Sequence, residues 1–165
     1  MDTQEAIFSR RTIKDFKPDP VPAPLIEHVL IAGTWAQNHK LTEPWRFIVL
    51  GPKAHQALAA IDSKLATKPL IVAVTCSVSG DAFQQREDYA AVCCAIQNIQ
   101  LAAWASGLGM QWSTGRTSQL PETLALLGIN PQQEEMAGLL YFGYPALVPA
   151  SKPRRPLAEV TRWLD

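Results

Sequence analysis

From about Gln84 to Ser106 the chain keeps one helical stripe unbroken, with Tyr89, Val92, Cys93, Ile96, Ile99 and Ala103 recurring three and four residues apart. A helix this long, apolar along one side, has to be wrapped by the rest of the chain, so the remaining elements are read as its packing partners. Arg86, Glu87, Asp88, Gln97, Asn98 and Gln100 lie within it and exclude a bilayer span. Gly107 and Gly109 end it, as glycine commonly ends helices.

The partners follow from shorter signals. Leu70–Cys76 is an uncharged, β-branched run of the kind found in strands buried on both faces. Phe47–Leu50, closed by Gly51 and Pro52, predicts another strand, and Lys53–Leu65 a helix through Ala57, Leu58, Ile61 and Leu65. Gln111–Thr114 and Ala137–Phe142 complete the strands, and Pro121–Leu127, closed by Gly128, adds a helix. Two further helices are expected, over Thr3–Arg11 and Ala23–Ala36. Prolines at 18, 20, 22 and 24, and again at 145, 149, 153 and 156, mark extended connectors, the second opening a C-terminal arm from about residue 146. Neither is long enough to be an interdomain linker. The expectation is one α+β domain over residues 1–165, in three α/β layers. Its mixed or antiparallel sheet of four to five strands is flanked by helices, one of them long and central.

Composition narrows the partners. Fifteen Lys and Arg balance fifteen Asp and Glu in 165 residues, so nucleic acid and anionic membrane are not expected to be held by bulk charge. His28, His39 and His55 are scattered, and the three cysteines lack zinc spacing, which sets metal chemistry aside. Cys93 and Cys94 fall on the expected buried stripe with no His or basic neighbour, which favours space filling over redox work. An odd cysteine count and an N-terminus without an apolar run point to a reduced, cytoplasmic setting with the mature chain starting near Met1.

Three segments carry candidate chemistry. Ser9-Arg10-Arg11-Thr12 and Lys152-Pro153-Arg154-Arg155 combine guanidinium forks with hydroxyls, which suits a phosphate. Each alone also reads as a solvated helix end or a basic tail. Trp35 to Phe47, with Asn38, His39, Glu43 and Trp45, is a polar and aromatic loop between rigid elements, a usual place for a ligand; the alternative is a turn anchored by Trp45.

In order along the chain, Ile7-Phe-Ser-Arg10-Arg11-Thr12-Ile-Lys14-Asp-Phe16, the loop from Ala32 to Trp45, Trp104-Ala-Ser-Gly107-Leu-Gly109, Gly138-Leu-Leu-Tyr141-Phe-Gly143-Tyr-Pro145 and Lys152-Pro-Arg154-Arg155 together resemble the nitroreductase family of flavin-dependent oxidoreductases. The resemblance implies an FMN-containing homodimer whose two sites are each built from both chains. Arg10, Arg11 and Thr12 would hold the ribityl chain and phosphate with Lys152 and Arg154, Arg155 being the alternative to Arg154, and Lys14 would stand beside the ring. Trp35, Asn38 and His39 would come from the partner chain, with Trp112, Ser113 and Thr114 on the other side of the isoalloxazine. The implied activity is NAD(P)H oxidation coupled to reduction of a nitroaromatic, quinone or similar small molecule, by two half-reactions through flavin N5 and with no catalytic side chain. A flavin carrier or redox sensor, or the same scaffold without flavin, are the alternatives. Thr12 stands where serine is usual, Lys14 where arginine is, and Glu43 where glutamine is common. The short Ser77–Phe83 stretch implies an open or small lid.

Overall fold

The computed structural model describes residues 1–164; Asp165, the last residue of the expected domain, lies outside the described residues. Four strands form one sheet in the order β1 (Trp45–Val49), β2 (Leu70–Ser77), β4 (Glu134–Gly143), β3 (Gly109–Ser113), every pair antiparallel. Helices α2 (Ala23–Thr34) and α4 (Ala82–Ala105) cover one face, and α3 (Pro52–Ile61) and α5 (Pro121–Leu126) the other. Helix α1 (Thr3–Ser9) lies against α4, where the Trp104 indole donates to Ser9 Oγ at 2.8 Å. The expected α+β architecture is the one observed.

Strand alternation divides the core. Val72, Val74 and Cys76 of β2 face α4, while Ile71 and Ala73 face α3 and α5. Both faces of the central strand are covered, so its sequence reads as a continuous apolar run although the sheet is wholly antiparallel. Asp81 caps α4, its carboxylate accepting from Gln84 N at 2.9 Å.

Several boundaries differ from the sequence expectation. Helix α1 stops at Ser9 rather than Arg11, because Ile13 N donates to Met110 O and the chain must already be extended there. Helix α2 stops at Thr34, whose hydroxyl turns back to Ile31 O. Helix α3 stops at Ile61: Asp62 leaves helical geometry and its carboxylate accepts from Lys64 N, starting a separate 3-10 turn at Ser63–Leu65. Strand β3 begins at Gly109, where an added Cβ would meet Ile13 at 2.6 Å, and Thr114 falls outside it. Strand β4 begins at Glu134 because Glu134 and Glu135 pair with Ser77 and Cys76. Cys93 and Cys94 are half-buried rather than buried, since α4 buries the face running through Ala91, Val92, Ala95, Ile96, Ile99 and Ala103.

Cys76 is the cysteine that fills the core, and burial, reinforced by the nearby Asp88 and Glu135 carboxylates, pushes its thiol up to about 12. The folded chain therefore holds this proton to higher pH than the unfolded chain. The associated stability is fully present below the ordinary thiol value of 9.0 and is lost as pH rises toward 12. Melting temperatures measured from pH 7 to 11 should fall above pH 9, and Cys76→Ala should flatten that fall relative to the wild type.

Candidate functional site

The segment after α1 runs extended past the sheet end, with Ile13 fully buried and Thr12 and Lys14 exposed on either side of it. Alternation along extended chain thus puts Thr12 and Lys14 on the outer side together. Lys68 fixes this segment: its ammonium donates to Lys14 O at 2.9 Å and sits 5.4 Å and 5.7 Å from the ring centres of Phe16 and Tyr141. Nothing in its sequence position marks Lys68, because the partners that hold it come from two distant segments.

At the start of this segment Arg11 and Arg154 lie near enough to Arg10 for their charges to act on it. Burial, and then the positive charges of Arg11 and Arg154, lower the Arg10 guanidinium from its ordinary value. Arg11 turns back on α1, Nη1 donating to Phe8 O at 2.9 Å and to Arg10 O at 2.8 Å. Among the described residues the one contact within 4 Å between a basic side chain and a carboxylate is His39 with Glu87, so none of these three cations has a carboxylate partner there. Lys152 lies exposed on the same arm as Arg154.

The aromatic loop forms a second centre. Trp35 is 83% exposed, and with Leu41, Asn38 and Glu43 it borders a hollow of about 480 Å³. Asn38 ties the loop internally, Oδ1 accepting from Glu43 N at 3.0 Å and Nδ2 donating to Ala36 O at 3.3 Å. His39 Nδ1 stands 3.9 Å from Glu87 Oε2 of α4. Lys40, Leu41 and Glu43 all have positive φ, at 52°, 54° and 43°, a conformation unfavourable for residues with a side chain.

The third group does not converge. Trp112 faces α4, its indole N–H donating to Ala137 O at 2.9 Å, whereas Ser113 lies on the opposite face beside the Tyr141 hydroxyl. Burial raises the Tyr141 phenol, and its hydrogen bond with Ser113 works the other way. Thr114 follows the strand and is exposed. The Trp112 indole reaches Ala137 because β4 carries a bulge there: Val74 pairs with Gly138 and Thr75 with Met136, leaving Ala137 between them.

An antiparallel sheet thus lies between two helical layers, with Arg10 under the charges of Arg11 and Arg154 and a strained aromatic loop held against α4. The chain belongs to the nitroreductase family, whose family model matches residues 7–74 and 55–144. It is 31% identical to the Bacillus subtilis protein named "Putative NAD(P)H nitroreductase YfhC", across 94% of this chain and 91% of that one. A nitroreductase-like family protein from Bacillus cereus superposes with a TM-score of 0.90 at 28% identity, over 100% of this chain and 97% of that chain. A structure from Desulfovibrio desulfuricans, described as a "putative nitroreductase in complex with FMN", superposes with a TM-score of 0.83 at 27% identity, over 100% and 98%.

Proposed function

We propose that this protein is an FMN-dependent oxidoreductase that oxidises NADH or NADPH and reduces a nitroaromatic, quinone or similar small acceptor. The observation that carries the reading is that Arg11 and Arg154 bring their charges to bear on Arg10, none of the three having a carboxylate partner among the described residues, beside an extended segment that also presents Thr12 and Lys14. Guanidinium groups held near one another despite their repulsion fit a dianionic phosphate ester, which relieves that repulsion and accepts paired hydrogen bonds. Bound FMN would supply hydride transfer, the chemistry that no side chain here can perform.

In this reading Arg10, Thr12, Lys152 and Arg154 hold the phosphate and ribityl chain, with Arg11 adding charge while it caps α1. Lys14 places a cation beside the ring, where reduction concentrates negative charge. Trp112 bounds the α4 side of the ring, and half-buried Ser113 at the end of β3, with exposed Thr114 after it, borders the ring from the strand. Trp35, Asn38 and His39 close the site from a second copy of the chain. One observation supports that shared arrangement. The arm from Ala146 to Leu164 is almost wholly exposed, yet carries Leu147, Val148, Leu157, Val160, Trp163 and Leu164, an apolar surface in need of a neighbour. Among the described residues no helix is long and apolar enough to cross a membrane. Three free cysteines accord with a cytoplasmic setting.

The test is a visible absorption spectrum of the purified protein, identification of the released chromophore, and anaerobic addition of NADH or NADPH. A flavin spectrum that bleaches and recovers on adding a nitroaromatic or quinone is the expected result. A flavin that resists both reductants would point instead to a carrier or sensor, and a protein that cannot be loaded with FMN would overturn the proposal.

A further inference from the structure

The loop from Trp35 to Glu43 needs something to hold it. Three of its residues, Lys40, Leu41 and Glu43, are held at positive φ with no glycine among them. Such conformations persist only where the surroundings over-determine them. Thr42 sits between them in ordinary right-handed geometry, and its hydroxyl donates to Asp88 Oδ1 at 2.7 Å, across 46 residues of chain. The same oxygen accepts from Gln84 Nε2 at 2.9 Å. Asp88 is fully buried in the first turns of α4, and its second oxygen, Oδ2, is buried with no hydrogen-bond donor from the described residues. Glu87, the preceding residue, faces His39 and likewise has a buried oxygen, Oε2, without a hydrogen bond.

This is an unusual use of a charge. A buried carboxylate oxygen without a donor is unfavourable, so the group is not there for packing. Both donors converge on the other oxygen, and one of them comes from the strained loop. We infer that Asp88 is a positioning residue: through Thr42 it clamps the loop onto α4 and thereby sets where Asn38 and His39 stand in the reaction site. The inference rests on the functional reading above, in which those two residues border the flavin. The working feature is the acceptor at Oδ1 and not the charge, because both hydrogen bonds end there. Asparagine, with the same shape and the same acceptor, should therefore replace Asp88, while alanine should not.

Three variants test this, Thr42→Val, Asp88→Ala and Asp88→Asn, read by steady-state kcat and KM, by the FMN dissociation constant, and by the rate of trypsin cleavage after Lys40. Thr42→Val and Asp88→Ala should lower kcat about 10- to 100-fold, as an ångström-scale misplacement can. Their FMN dissociation constants should rise by less than that of Arg10→Ala, since the arginines are untouched, and cleavage after Lys40 should rise about tenfold as the loop opens. Asp88→Asn should match the wild type in all three. Thr42→Val indistinguishable from wild type, Asp88→Asn as impaired as Asp88→Ala, or faster cleavage with unchanged kcat would each overturn the inference. If Asp88→Ala does not fold, Thr42→Val and Asp88→Asn still decide it. Failure of the wild type to take up FMN would remove the functional reading, whereas cleavage unchanged in every variant would remove the clamp itself.

Discussion

Exchanging Arg10 and Arg154 together for alanine is expected to abolish retention of FMN through purification, while leaving the apoprotein folded. A charge-assisted hydrogen bond to a phosphate contributes about 1.5–3 kcal/mol, so each arginine is worth about 10- to 150-fold in affinity. Arg10 should show the larger single effect, because it is partly buried whereas Arg154 lies exposed on the arm. The two losses should combine to less than their product. Burial first, and then the charges of Arg11 and Arg154, make the Arg10 charge costly, so removing Arg154 relieves part of that cost. Fluorescence titration of apoprotein with FMN measures all three variants. The same repulsion predicts that the single variants without FMN melt no lower than the wild-type apoprotein. Unchanged FMN affinity in Arg10→Ala would refute the assignment of the phosphate site.

The largest effect on folding is expected at Gly138. Its φ of +145° is open to glycine alone among common residues, and an added Cβ would lie 2.5 Å from Trp112 Nε1 and 2.8 Å from Ser113 O. Relieving the first clash requires the indole to leave Ala137 O, which unsatisfies a donor and an acceptor inside the bulge. Strained backbone at about 1–3 kcal/mol, a crowded core at about 1–3 and a broken buried hydrogen bond at about 1–3 together suggest a loss of about 4 kcal/mol or more for Gly138→Val. Against a typical domain stability of about 5–15 kcal/mol, that removes a large share of the total. Urea unfolding of Gly138→Val should show it directly. Repeating the substitution in a Trp112→Leu background should recover part of the loss but not all, since the Ser113 carbonyl is backbone and cannot retreat in the same way. Equal losses in both backgrounds would show that the indole is not the obstacle.

The elements that carry an uninterrupted pattern were legible in the sequence. Helix α4 announces itself by its stripe and β2 by its uncharged β-branched run, because burial on a rigid element imposes a period on residue choice. Edges were less legible where a distant partner decides them. Glu134 and Glu135 look like loop residues, yet they belong to β4 since Ser77 and Cys76 lie opposite them and the Thr75 hydroxyl donates to Glu134. Arg10 and Arg11 look like a helix end until Met110 draws the following residues into extended chain. Both basic segments are hydroxyl-flanked and suggest a divided phosphate site in the sequence, and the fold brings Arg154 near enough to Arg10 to lower its guanidinium.

Two parts of the site had different fates. Trp112 and Ser113 are neighbours in a strand, so the period of two already sends their side chains to opposite faces of the sheet. The loop conformation had no sequence signal, because lysine, leucine and glutamate do not mark positive φ as glycine or asparagine would. Asp88 did leave a trace. It lies four residues before Val92 on the apolar stripe, and a carboxylate at such a spacing is either misplaced or employed.

The exposed arm has a consequence for how the protein behaves on dilution. If two copies complete each other's sites, as proposed, separating them both strips cover from the apolar arm and opens the cofactor pocket. Mass action then joins three quantities that are usually treated as independent: the apparent affinity for FMN, the melting temperature and the concentration of the chain itself. The cofactor, by favouring the paired form, would act as its own glue.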